Sequence, residues 1–136
     1  MIAYLDKHHP PIDETYWIDI EMVGTGNIAY ATKHGISYLT EYHPAKELKE
    51  YAEQTANNHP ELSVTGRDML ILEEVSPLRM RGYNTLYVLG YDKEGYLPNW
   101  HRLSDNLEQI EPQTLTNAAR YVYALMGLID TELKQS

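Results

Sequence analysis

Residues 115–134, LTNAARYVYALMGLIDTELK, constrain the fold most. Apolar side chains recur at 115, 118, 119, 122, 125, 126, 129 and 133, the spacing of a helix that buries one face. Tyr121, Tyr123, Ala124 and Leu128 widen that stripe until the middle of the helix is apolar almost all round. A helix of this kind needs cover on more than one side. The chain must wrap it in its own elements as the central core helix or share it with a second copy, which makes helix 115–133 the candidate contact of a homo-oligomer. Thr114 or Thr116 is the expected N-cap.

The cover has to come from the segments with a period of two. In TYWIDIEMV (15–23), Tyr16, Ile18, Ile20 and Met22 point one way, and Trp17, Asp19 and Glu21 the other. GTGN (24–27) reads as a hairpin turn, because glycine adopts positive φ without steric cost. IAYATK (28–33) then returns and ISYLTEY (36–42) makes a third strand. Pro44 opens a helix over 44–58, with Leu48, Tyr51, Ala52, Thr55 and Ala56 on one stripe. NNHPELSVTGRD (57–68) reads as a polar connector.

The second half repeats the order. MLILEEV (69–75) is a strand, LRMRGYNTLYVLGY (78–91) another, and YLPNWHRL (96–103) its return at the sheet edge, where Pro98 is tolerated. The expected architecture is α+β: antiparallel sheet or sheets in a βββα-βββα order, with two helices covering one face. At 136 residues the chain is one domain, with 1–14 as an extended, proline-stiffened arm.

Charge narrows the partners. The chain has a formal net charge of −9. Residues 1–66 hold four lysines against ten carboxylates, whereas 77–103 reverse the sign with Arg79, Arg81, Lys93 and Arg102 against Asp92 and Glu94. Nucleic-acid phosphates repel such a chain unless its basic groups gather into a stripe, and none is evident. No apolar run approaches the ~20 residues that span a bilayer. The N-terminus lacks the basic-then-apolar pattern of a signal peptide, and there is no cysteine, so a cytoplasmic protein is expected.

Nothing in the spacing of reactive residues points to catalysis. The serines lack a nucleophile elbow. The six histidines lack metal-binding spacing, and adjacent His8 and His9 would diverge on an extended chain. No catalytic residue, metal or cofactor is assigned, and the balance is against an enzyme.

Two contact surfaces remain. On an extended 78–91 segment, Arg79, Arg81, Tyr83 and Tyr87 share one face, and Trp100, His101 and Arg102 lie on the strand alongside. Guanidinium forks beside flat aromatic rings suit an anionic, nucleotide-like small molecule. The competing reading pairs Arg79 and Arg81 with Glu73 and Glu74 on the neighbouring strand. The second surface is acidic: Asp19, Glu21, Glu47, Glu50 and Glu53 would steer a basic protein partner, with Trp17 as an exposed anchor. The leading expectation is therefore a non-catalytic acidic binding protein of inhibitor or immunity type, and the alternative a binder of anionic small molecules.

Overall fold

A computed structural model describes residues 2–35, 41–69 and 76–134. Its elements are α1 (Ile2–His8), β1 (Tyr16–Glu21), β2 (Asn27–His34), α2 (Lys46–Asn58), β3 (Thr65–Met69), α3 (Ser76–Arg79), β4 (Asn84–Tyr91) and α4 (Pro112–Leu133). Short 3₁₀ turns stand at Ile12–Glu14, Pro60–Leu62 and Leu107–Gln109.

Among the described residues the strands form one sheet in the order β1-β4-β2-β3. The class is α+β, as expected, but the sheet is mixed. β1 and β4 run parallel, as do β2 and β3, and only β2 and β4 are antiparallel. The expected hairpin across 24–27 does not form, because β4 lies between β1 and β2 and hydrogen-bonds to both. Helix α2 is the crossover from β2 to β3, the connection that parallel strands require.

Three segments depart from the expected elements. Residues 57–68 were read as a connector, yet Thr65–Met69 is the edge strand β3. Residues 96–103 are turns instead of a return strand. Residues 78–91 are extended only from Asn84 onward, since α3 ends at Arg79 and Gly82 turns the chain at φ +89°. The strand expected at 36–42 falls mostly on residues outside those described, and so does all of 70–75. The arm 1–14 is helical in α1 and tight at 12–14 instead of extended.

β4 explains the layering. Its six central residues are all buried, as befits an inner strand covered on both faces. Leu86 and Val88 join Tyr16, Ile18, Ile28 and Tyr30 under α2 and α4, which supply Leu48, Ala52, Tyr121, Leu125 and Ile129. Tyr87 and Leu89 face the opposite way and pack with Ala31, Met69 and Leu97. Helices thus cover one face as expected, but the second face is closed too, by α1, α3 and the chain around Leu97.

Pro112 opens α4 at its first turn, two residues ahead of Thr114 and four ahead of Thr116. Neither threonine caps the helix: Thr114 donates to the Gly26 carbonyl at 3.2 Å and Thr116 to the Pro112 carbonyl at 2.7 Å. The buried side of α4 is Ala118, Tyr121, Val122, Leu125 and Ile129. Leu115, Tyr123 and Met126 are exposed on its outer side.

Candidate functional site

The segment expected to carry an arginine–tyrosine face is divided by its own backbone. Leu78 is fully buried beside Leu5, beneath Trp17 and Tyr83. Around it the chain closes a tight turn, with Gly82 N–H donating to Arg79 O at 2.8 Å and Tyr83 N–H to Leu78 O at 3.2 Å. The Arg79 guanidinium lies 6.0 Å from the Tyr42 ring centroid. Arg81 is exposed and donates to the Pro77 carbonyl at 3.3 Å. Tyr83 is half-buried and donates to the Pro10 carbonyl at 2.9 Å, pinning the arm behind α1. Tyr87 is buried and donates to the Glu21 carboxylate.

Trp100, His101 and Arg102 lie at the other end of β4, beyond Tyr91, with the Trp100 and His101 rings stacked at 4.2 Å. Seven strand steps, about 23 Å, separate Asn84 from Tyr91. The seven residues expected to share one pocket therefore occupy three places. The arginine–glutamate alternative involves Glu73 and Glu74, which lie outside the described residues.

The acidic set is divided as well. Trp17, Asp19 and Glu21 stand in register with Thr85, Tyr87 and Leu89 on the second face of the sheet. Glu47, Glu50 and Glu53 project from α2, which covers the first face. Trp17 is half-buried instead of exposed, held edge-on between Tyr4 at 6.0 Å and Tyr83 at 6.1 Å. Its Nε1 and the Thr85 Oγ1 beside it are both buried without a hydrogen-bond partner among the described residues. Each is a buried polar atom of the kind that ordered water satisfies.

Carboxylates of two helices act on one side chain of the first face, Tyr51. Burial raises the Tyr51 phenol above its usual range, and Glu132, Tyr16, Glu47 and Glu50 raise it further. The start of α2 and the end of α4 thus share one negative field. Glu53 acts similarly on Tyr30, after burial. Lys46 offsets part of this field through Glu50 at 3.6 Å, and Glu61 is engaged by Arg120 at 3.3 Å.

Asp68 on β3 is held below the usual carboxylate range. The Thr32 hydroxyl, donating at 2.6 Å, is the main cause, and Lys33 at 3.7 Å adds to it. A lowered folded value stabilises the fold above the unfolded carboxylate value of ~3.9, and that contribution vanishes as pH falls through the folded value. Asp68→Asn is therefore expected to flatten the loss of stability below about pH 4, measured by urea unfolding between pH 7 and pH 2.5. An unchanged acid limb would show that the Thr32–Asp68 bond contributes nothing.

The stretch between β4 and α4 holds what the sequence reading missed. Both its ends rest on the 24–26 turn. A Cβ on Gly26 would stand 3.4 Å from Pro98 Cγ, one on Gly24 would stand 3.5 Å from Ile110, and Glu111 N–H donates to Gly24 O at 2.7 Å. Along this stretch, Tyr96, Trp100, Leu103, Leu107 and Ile110 are all exposed. Their spacing of four, three, four and three residues is a helical stripe that the sequence displays openly. The helix does not form because thirteen helical residues would push the ends about 18 Å apart, while one turn holds both.

Among the described residues no three His, Asp or Glu side chains gather where a metal ion could sit, and no helix is long and apolar enough to cross a membrane. No protein-family profile matches the chain, and no curated protein matches its sequence.

Proposed function

We propose that this chain is a non-catalytic binding protein that grips a basic macromolecular partner, as inhibitor and immunity-type modules do. The observation behind the reading is that Glu47 and Glu50 of α2 and Glu132 of α4, on helices that share one core, all act electrostatically on the Tyr51 phenol. Carboxylates gathered on a protein of net charge −9 draw cationic surfaces over distances set by the Debye length, about 10 Å at 0.1 M salt. They set the speed and orientation of encounter more than the final affinity. The strand face that would have favoured an anionic ligand is not formed, because Arg79 and Arg81 precede β4.

The test is association with polylysine, followed by anisotropy from 25 to about 300 mM salt. Binding is expected to weaken steeply as salt rises. The triple variant Glu47→Gln, Glu50→Gln, Glu132→Gln should bind about tenfold more weakly at low salt and with a shallower salt dependence. Salt-independent binding, or a triple variant that behaves as the parent, would refute the reading.

A further inference from the structure

We propose that the loop between β4 and α4, residues 92–111, is the anchor of this protein's contact, and that it seats in an apolar pocket framed by basic side chains on a protein partner. This inference rests on the binding-protein reading above and names the surface that such a partner must offer.

Leu103 and Leu107 carry the argument. Their relative exposures are 104% and 85%, so both stand clear of the fold. Single exposed leucines are ordinary. Here they share one loop with exposed Tyr96, Trp100 and Ile110, and exposed apolar side chains brought together on one surface are what partners bury. Trp100 and Arg102 are of the residue types that dominate binding hot spots.

The loop is built to hold its shape. Leu97 packs on the second face of the sheet, with Tyr87 and Leu89. Ser104 donates to Asn99 Oδ1 at 2.8 Å, and Asn106 accepts from the Glu108 N–H at 3.0 Å. Asn99 and His101 both sit in the left-handed region, at φ 56° and 55°. Asparagine and histidine are among the non-glycine residues that take this conformation most readily, so the turns are set by the loop's own residues. A loop already ordered loses little entropy when a partner closes on it.

Charge selects the partner. Around the leucines stand Asp105, Glu108 and Glu111, with Asp92 and Glu94 on the adjoining turn. Against these five are Arg102, Lys93 and Arg67, whose guanidinium lies against Gly95 and over the Tyr91 ring, and Lys93 already pairs with Glu94 at 3.5 Å. An acidic surround repels anionic surfaces and favours lysine or arginine around an apolar pocket. Anionic membranes are disfavoured for the same reason.

The full chain is titrated with a synthetic amphipathic Leu/Lys helix, whose apolar face is rimmed by lysines, and with polylysine of equal charge. The Leu/Lys helix should bind about tenfold tighter than polylysine. Leu103→Asp with Leu107→Asp should abolish that difference while leaving thermal unfolding unchanged, since neither side chain packs in the fold. Trp100→Phe should remove the fluorescence blue shift on binding. Equal affinity for the two probes, or a double variant that keeps the preference, overturns the anchor. So does partition of the parent but not the double variant onto phosphatidylcholine vesicles, or a parent dimer in sedimentation that the double variant loses. Those results would assign the loop to lipid or to a second copy. Should polylysine fail to bind while the loop-dependent preference persists, the anchor stands and the acidic steering falls. The reverse result leaves the steering intact and removes the anchor.

Discussion

Gly90→Ala is expected to lower stability by about 3 kcal/mol, a large fraction of a domain's usual margin. The cause is topological. β1 and β2 are consecutive in the chain, yet β4 is inserted between them, so their connection must cross one end of β4. It crosses at Gly90. A Cβ there would meet the Met22 carbonyl oxygen at 2.3 Å and that of Thr25 at 2.7 Å. These are backbone atoms, and Met22 already holds a left-handed φ of 53°, so the connection has little room to retreat. In urea the midpoint should fall by roughly 1–2 M at an ordinary slope. Gly127→Ala, in the middle of α4 with nothing within 4 Å of the new methyl, is the control of opposite sign and should gain about 1 kcal/mol. Equal midpoints for the parent and Gly90→Ala would mean that the crossing is not packed against β4.

That crossing also shows where the sequence stops being informative. The periods of β1, β2, α2 and α4 are plain in their residues, because each has an apolar stripe or alternation of its own. Strand order is not, because it depends on which segments pair across long loops. A glycine at position 90 reads equally well as a weak point in a strand. β3 was missed for a related reason. TGRDM is an edge strand with mostly exposed or half-buried side chains, so it carries no apolar alternation to detect. Over 78–83 the apparent alternation was accidental. Leu78 is buried and Met80 is exposed although a period of two would put both on one face, and Pro77 and Gly82 bound a turn that such a period cannot describe.

The candidate site was legible to the same degree. Side-chain direction along β1 was read correctly, with Trp17, Asp19 and Glu21 on one face opposite Ile18. What covers that face was not readable, because Leu5 and Leu78 come from segments whose pattern is too short to assign. The sequence places Trp100, His101 and Arg102 on a return strand at the sheet edge, where Pro98 is tolerated. The left-handed conformations of Asn99 and His101 exclude a strand there; both residue types tolerate that conformation, but neither requires it, so the sequence does not announce it. The spacing from Tyr96 to Ile110 was visible throughout. It misleads as a helix signal because the two ends of the loop are held by one turn.

Tyr121→Ala should cost about 4 kcal/mol, since a large buried aromatic ring leaves a cavity that surrounding helices fill only in part. The ring is fully buried in the core between sheet and helices, stacked on Tyr30 with centroids 6.5 Å apart and planes 14° apart. Its hydroxyl donates to the Ala52 carbonyl of α2 at 2.9 Å, so one residue ties α4, α2 and the sheet together. Tyr121→Phe keeps the ring and removes the bond, and should cost only about 1 kcal/mol at neutral pH. The two variants also separate under alkali. Burial, with Tyr30 adding to it, pushes the Tyr121 phenol far above its ordinary value. A raised folded value means that the contribution is complete below the unfolded value of ~10 and declines as pH climbs past it, because only the unfolded chain can then ionise. Tyr121→Phe has no such proton to lose, so its urea midpoint should fall less than the parent's between pH 9 and about pH 11.5. If the parent and Tyr121→Phe lose stability in parallel across that range, ionisation elsewhere among the twelve tyrosines controls alkaline unfolding, and the Tyr121 hydroxyl is more open to water than its place in the core implies.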